Sequence, residues 1–226
     1  MIPKVIIHNS ISIDGSLSSF EPNMELHYQI AGMFKPQIHL IGSNTITAGI
    51  KLYGDGVPLE ETSDSKKPKR SKALPLWVVI DSTGKLEGLL HTCRRFEQCR
   101  DVIVLVSQTT PKRYLRYLDE RQYDYHCVGR DSVNLRRALD LLSKKYHVKT
   151  ILTDTGMILG NLLLNQGLVD EISLLVHPVI VGKTPYDMFQ QIEKKHDLTL
   201  VKCERLQKQY VWLLYKIKKK ESPHTK

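Results

Sequence analysis

TDTGMILGNLLLNQGLVDEISLLVHPVIVG, residues 153–182, is the stretch whose reading decides the fold. Just ahead of it Thr150-Ile151-Leu152-Thr153 is a short apolar run, and Asp154-Thr155-Gly156 is a turn. Ile158, Leu159, Leu162 and Leu163 follow at helical spacing, and Gly167 stops the helix. Ile172-Ser173-Leu174-Leu175-Val176 then reads as a strand. A strand, a helix and a second strand in this order form a crossover unit with its turn at the carboxyl edge of a sheet. Turns at that edge of open α/β sheets hold phosphates and dinucleotides.

The same alternation runs outward in both directions. Val5-Ile6-Ile7-His8 is a first strand, Glu25 to Phe34 a helix, and Ile38-His39-Leu40-Ile41 a second strand feeding Gly42, after which Thr45 to Ile50 make one or two helical turns. Leu76 to Ile80 and Val102 to Val106 are further strands, the latter apolar throughout, as a parallel strand buried on both faces requires. Pro111 suits the first position of a helix. Tyr125 to Val128 is a strand, and Asp131 or Ser132 caps the helix carrying Leu135, Ala138, Leu139 and Leu142. Leu198 to Leu206 and Tyr210 to Ile217 form a hairpin turning near Gln207 to Gln209. The expected fold is α/β: a mostly parallel central sheet with helices on both faces and a C-terminal antiparallel hairpin.

A chain of 226 residues, 41% hydrophobic, buries a full core as one domain, expected over residues 1–217. No apolar run reaches membrane-span length, and Met1-Ile2-Pro3-Lys4 opens straight into a strand, so a cytosolic protein away from membranes is expected. Cys93, Cys99, Cys127 and Cys203 are too scattered for a metal-ligand pair, and no metal is expected. Much of the net charge of +9 sits in two places. Residues 60–72 carry five cations against three acids, and residues 216–226 five against one. Basic residues gathered so, without interleaved aromatics, argue against a nucleic-acid face. Residues 54–75 are expected to be a mobile surface loop, since residues 60–72 lack apolar periodicity; residues 60–72 and the basic tail, 218–226, should be dispensable for catalysis and small-molecule binding.

Four blocks, taken in order, resemble the riboflavin-biosynthesis reductases, whose domain has a dihydrofolate-reductase-like fold. They are Ser12-Ile13-Asp14-Gly15, Gly42-Ser43-Asn44-Thr45, Val78-Val79-Ile80-Asp81-Ser82, and the opening stretch. In the last, Gly167-Leu168-Val169-Asp170-Glu171 matches in full and Pro178 and Gly182 stand in place, while Asp154-Thr155-Gly156 replaces a Glu-Gly-Gly turn. The resemblance covers residues 4–217. It implies hydride transfer from NADPH to the ribosyl carbon of an aminopyrimidine phosphate, chemistry the cofactor supplies while the protein positions both ligands and manages a proton. Homodimers are also implied, and Val211 to Tyr215, apolar on both faces of its strand, is the surface expected to be covered.

The resemblance assigns the cofactor to Gly42, Thr45, the loop Ser82, Thr83 and Lys85, and the turn Thr155, Gly156, Met157 and Ile158. Lys85 offers a cation for the 2′-phosphate. Asn9, Ser12 and Asp14 are substrate candidates at the end of the first strand, and Glu25 with Ser82 the proton-handling pair. Ser16 stands where the family usually has Lys, and the family's arginine-bearing helix is replaced by Glu25-Leu26-His27-Tyr28-Gln29. Two other readings therefore stay open: a diverged reductase of a pterin or another small heterocycle, and a non-catalytic binding module on the same fold. His177, before Pro178, reads as a hydrogen-bonded structural residue, and His8 and His39 alternate with apolar neighbours as partly buried side chains do.

Overall fold

The computed structural model describes residues 2–53, 56–183 and 186–219, so most of the basic tail and the first two residues of the 54–75 loop lie outside the described residues. The strands are β1 (Lys4–Ser12), β2 (Ile38–Gly42), β3 (Leu76–Ile80), β4 (Val102–Val106), β5 (Asp124–Cys127), β6 (Thr150–Thr153), β7 (Glu171–His177), β8 (Leu198–Leu206) and β9 (Tyr210–Ile217). The helices are α1 (Met24–Met33), α2 (Ser43–Tyr53), α3 (Leu90–Arg95), α4 (Lys112–Glu120), α5 (Leu135–Tyr146) and α6 (Met157–Asn165). All nine strands join one sheet in the order β5-β4-β3-β2-β6-β1-β7-β9-β8. β1 to β7 pair in parallel, and the β8–β9 hairpin adds antiparallel to β7, as the sequence pattern predicts.

The sheet buries both faces. Ile7, Ile38, Leu40, Val78 and Ile103 pack with Leu139, Leu142 and Leu163 of α5 and α6 on one side. Val79, Val102, Val104 and Val106 pack with Leu90, Tyr114 and Leu118 of α3 and α4 on the other. Burying each such aliphatic side chain is worth about 1.5–3 kcal/mol, which is why the β-branched runs take the central positions. A smaller cluster, Leu26, Ile30, Leu175 and Trp212, seats α1 on β7 and β9. The chain's own helix thus covers the Trp212 face of β9, because α1 crosses back over strands well over a hundred positions later in sequence.

Local details differ from the sequence expectation. Helix α5 is capped by Asn134, whose side chain accepts from the backbone N–H of Arg137, and not by Asp131 or Ser132. Three cap-competent residues stand within four positions there, and only the path of the turn selects among them. Pro111 is the N-cap of α4, one place earlier than expected, and α2 runs the full Ser43–Tyr53.

Residues 60–72, expected to be an unanchored loop, are fastened by charge instead of apolar contacts. Asp64 is 7% exposed and pairs with Arg95, and its carboxyl is held below the usual range by the Arg95 hydrogen bond first. Buried Arg94 donates to the Asp64 carbonyl at 2.6 Å and pairs with Asp101 at 2.9 Å, its guanidinium 3.9 Å above the Tyr123 ring. Glu60 meets Arg121 and Lys67 meets Asp124, both at 2.7 Å. Hydrophobic periodicity cannot register such anchors, because their partners lie tens of residues away.

One feature of the sheet positions everything that follows. β6 enters between β1 and β2 but stops at Thr153, where it pairs with Ile7. Past Ile7, β1 continues through Ser12 alongside β7 with no strand on its β6 side among the described residues. The carboxyl edge therefore carries a notch, with Asn9–Ser12 as one wall, the end of β2 as the other, and Asp154–Gly156 as its floor.

Asp64→Ala is expected to lower unfolding stability by about 1–3 kcal/mol, the range for leaving buried charge-assisted partners unpaired. It should also speed proteolysis within residues 60–72. Chemical denaturation and limited digestion of the two proteins would check this, and identical curves would show that the anchor adds nothing.

Candidate active site

The notch gathers four of the residues assigned to the cofactor. Thr155 Oγ1 accepts from the Gly42 backbone N–H at 3.3 Å and lies 3.1 Å from Thr45 Oγ1, which in turn accepts from the Gly156 N–H at 3.1 Å. A Cβ on Gly42 would stand 3.2 Å from Thr155 Oγ1, so this close approach of β2 to the turn needs glycine. Gly156 is different. Its φ of −65° suits any residue, and an added Cβ would meet only Thr45 Oγ1 at an ordinary 3.7 Å. Gly156 caps α6 without a side-chain hydrogen bond, which leaves the first helical amides, from Met157 and Ile158 onward, turned to the edge as anion donors. Ile158 is exposed there.

The loop after β3 is built around Asp81, which is buried and accepts from the backbone N–H of Lys85 and Leu86 and from the Thr83 hydroxyl. The Ser82 carbonyl accepts from Thr110 Oγ1 at 2.8 Å. Gly84 has φ +75°, and a Cβ there would lie 2.9 Å from the Tyr114 ring, so no other residue fits. Lys85 is exposed and its Nζ donates to Asn44 Oδ1 at 2.6 Å, joining this loop to the start of α2. Every element assigned to the cofactor thus faces the same edge of the sheet.

On the α6 side a shallow crevice is lined by Asn9, Thr155, Gly156, Asn161, Met188 and Phe189, among others. Asn9 Nδ2 donates to the Thr155 carbonyl at 3.4 Å. Asn161, 1% exposed, has no hydrogen-bond partner for either polar atom of its carboxamide. Its place in the middle of an apolar helix was the only sequence signal of it. Ser12 and Asp14 are occupied otherwise. Ser12 donates to Asp14 at 2.5 Å and accepts from the Ser16 N–H, while Asp14 accepts from the N–H groups of Val181 and Gly182. Ser16 is fully buried, with its hydroxyl bonded to the Ser18 backbone, a place that would bury a lysine's charge.

On the opposite, α1 side the sheet carries a buried polar cluster that the sequence hinted at only through His8 and His39. His8 Nε2–H donates to the His27 carbonyl at 3.1 Å, which leaves Nδ1 to accept from Ser173 Oγ at 2.9 Å, and Ser173 Oγ accepts from Trp212 Nε1. His8 is neutral, its pKa pushed down to about 3 by burial and by His27. His27 Nδ1 lies 3.1 Å from Ser10 Oγ. Its Nε2 and that of His39 face one oxygen of Asp154, at 3.7 Å and 3.3 Å, as ion-pair contacts not aligned for hydrogen bonding. Burial opposes ionisation of Asp154, but His39 and then His27 outweigh it and hold the carboxyl below the usual range. Glu25 is exposed in the first turn of α1, and no hydrogen bond or ion pair joins it to Ser82. His177 accepts from the Asn23 N–H at 3.0 Å and contacts the Leu175 carbonyl, a structural pairing. Among the described residues no group of three or more His, Cys, Asp or Glu is arranged to hold a metal ion, and no helix is long and apolar enough to cross a membrane.

The Asp14 clamp has a pH signature. Its carboxyl is lowered from 3.8 to about 2, by the Ser12 hydrogen bond first and then by the Gly182 and Val181 amides. A group whose folded pKa is depressed stabilises the fold above its unfolded pKa, and that share is lost as pH falls through the folded value. Asp14→Asn is therefore expected to flatten the stability–pH curve between about pH 4 and 2. Thermal melts stepped through that window would check it, with an unchanged acid limb as the contrary result.

Comparison with known proteins follows the same lines. A family model described as the RibD C-terminal domain matches residues 3–212. The 2,5-diamino-6-ribosylamino-4(3H)-pyrimidinone 5′-phosphate reductase of Archaeoglobus fulgidus is 26% identical over 192 residues, which cover 80% of this chain and 83% of that protein. Among solved structures, Acinetobacter baumannii RibD superposes with a TM-score of 0.70 at 20% identity over 96% of this chain, which spans 58% of that one. The riboflavin biosynthesis reductase Rib7 of Saccharomyces cerevisiae gives 0.64 at 16% identity, covering 96% of this chain and 90% of its own. The fold is the dihydrofolate-reductase-like one of these reductases, and the chain, matched over nearly its whole length, belongs to the RibD C-terminal domain family.

Proposed function

We propose that this protein is an NADPH-dependent reductase of riboflavin biosynthesis, converting the ribosyl group of an aminopyrimidine ribosylamine 5′-phosphate to ribityl. The observation that carries the reading is the cradle of Gly42, Thr45, Thr155 and Gly156 across the notch. Among the described residues a Cβ on Gly156 would meet only Thr45 Oγ1, at an ordinary 3.7 Å, which leaves room for a ligand to approach the backbone there. The α6 amides suit a pyrophosphate, and Lys85, exposed at the same edge, suits the 2′-phosphate. Bound there, the cofactor supplies hydride. Ser82 and Thr83 border the cofactor side, Asn9 the substrate side. Glu25, at the surface, serves at most from the rim.

One observation favours a second reading, a reductase of a small heterocycle without a phosphate. No Lys or Arg lines the crevice beside Asn9, and Ser12, Asp14 and Ser16 are spent on the fold. Turnover of the phosphorylated and dephosphorylated pyrimidines, side by side, separates the two.

Gly156→Val is expected to abolish NADPH binding while the protein still folds, because a branched side chain fills the backbone approach. Lys85→Ala should weaken NADPH roughly tenfold or more, the worth of one charge-assisted contact, and leave NADH nearly unchanged. Fluorescence titration with both cofactors, followed by the candidate substrates in the same cuvette, tests the reading. Parental affinity in Gly156→Val would move the site elsewhere, and equal losses for both cofactors would remove Lys85 from the 2′-phosphate.

The reading extends to a homodimer. Leu198 and Leu200 of β8 are exposed and pair with Ile217 and Tyr215 of β9, with half-buried Leu213 on the same face. An apolar edge of this kind is a typical assembly surface. Light scattering should give twice the 26.0 kDa chain mass, and Leu200→Lys should halve it; a parent at the single-chain mass would overturn the dimer.

A further inference from the structure

Several carboxylates in this protein are spent on backbone amides. Asp81 accepts from Lys85 and Leu86, Asp64 from Glu61, Asp170 from Val5, and Asp14 at the surface follows the same pattern. Asp154, 15% exposed on the floor of the notch, accepts from no backbone group among the described residues, and two imidazoles face it instead. A carboxylate that held only a turn would not need them. With His8 locked neutral by its own chain of hydrogen bonds, His27 and His39 are the rings left to balance the Asp154 charge.

His27 is also the ring with an outlet. Its Nε2 faces Asp154 at 3.7 Å, and its Nδ1 meets the hydroxyl of Ser10 at 3.1 Å. Ser10 lies in the length of β1 that outruns β6, half-buried on the wall of the notch. The line Asp154–His27–Ser10 therefore runs from the floor of the notch through the buried α1 face and back to the notch wall, beside the turn that cradles the cofactor.

We propose that Ser10, His27 and Asp154 form the proton-delivery line of the reduction, with Ser10 as the catalytic contact and His27 and Asp154 as the positioning residues behind it. The proposal rests on the reductase reading above. As hydride from the reduced nicotinamide forms the new C–H bond at the ribosyl carbon, the ring C–O bond breaks and its electron pair leaves on oxygen. That oxygen takes the Ser10 hydroxyl proton, Ser10 takes the Nδ1 proton of His27, and the ring, now neutral, is reloaded from solvent. The nicotinamide is oxidised, the ribosyl carbon reduced, and one proton consumed. Asp154 stabilises the charged ring before transfer. The groups facing His27 are His8 from β1, Asp154 from β6 with His39 of β2 behind it, Tyr28 of α1, and His177 of β7 further off. Asp154 is the carboxylate among them.

Steady-state kinetics of Ser10→Ala, His27→Gln and Asp154→Asn across pH, with cofactor titration of each, test the proposal. General-acid catalysis contributes 10²–10⁴-fold, so Ser10→Ala and His27→Gln should each lower kcat at least roughly 100-fold. NADPH affinity should stay within about threefold, or roughly 0.7 kcal/mol. His27→Gln and Asp154→Asn should also change the shape of the kcat–pH profile, a change that a packing role would not produce. If His27→Gln fails to fold, Ser10→Ala, which removes one half-buried hydroxyl, carries the decision. Parental kcat and pH profile in Ser10→Ala overturn the proposal alone, leaving the reductase standing. A parent that binds NADPH but reduces neither pyrimidine overturns both.

Discussion

The early end of β6 is the constraint on which the rest depends. A strand inserted between β1 and β2 that matched their length would close the sheet and leave no site. By stopping at Thr153 it leaves β1 unpaired on one side from His8 onward and drops a turn, Asp154-Thr155-Gly156, into the gap. Because β1 to β7 are parallel, the ends of β2 and β3 and the start of α6 face the same edge. Residues more than a hundred positions apart, such as Thr45 and Thr155, then come within hydrogen-bonding distance without any of them needing an unusual backbone.

The two faces of the notch divide the work by polarity. Toward α6 the surroundings are apolar, with the carboxamides of Asn9 and Asn161 as the polar groups of the crevice, an environment suited to an uncharged ring. Toward α1 they hold imidazoles and a carboxylate, packed under Trp212 and Phe34 where solvent screening is weak. Charges in such a place must be balanced within the protein, and Asp154 is balanced by the rings of His27 and His39.

The periphery follows a different rule. Residues 60–72 show no apolar pattern, yet Arg94, Arg95 and Arg121 fasten them through Asp64 and Glu60. Their partners lie on α3 and just past α4, so the segment is stapled across the helices that cover β3 and β4. Within the segment itself this pairing takes up the acids Asp64 and Glu60 and, of its cations, Lys67 with Asp124.

The sequence by itself determined the strands and helices of the parallel core, the closing hairpin and the Asp154–Gly156 turn between β6 and α6. Each of these rests on local spacing: apolar runs for buried strands, the 3.6-residue period for α6, Gly167 at its end, and the resemblance carried by contiguous blocks. It misplaced the cap of α5, because Asp131, Ser132 and Asn134 are equally competent until the turn is built. Only the tertiary structure decided which polar residues share a site. Asp14 and Ser12 look like ligand residues and are clamps. His27, one residue from the interior edge of an ordinary amphipathic helix, becomes the centre of a buried charge cluster. Glu25, two positions earlier, faces water. Side-chain spacing along one element says which face a residue takes. What waits on that face comes from strands distant in sequence, and strand order, which local pattern does not encode, settles it.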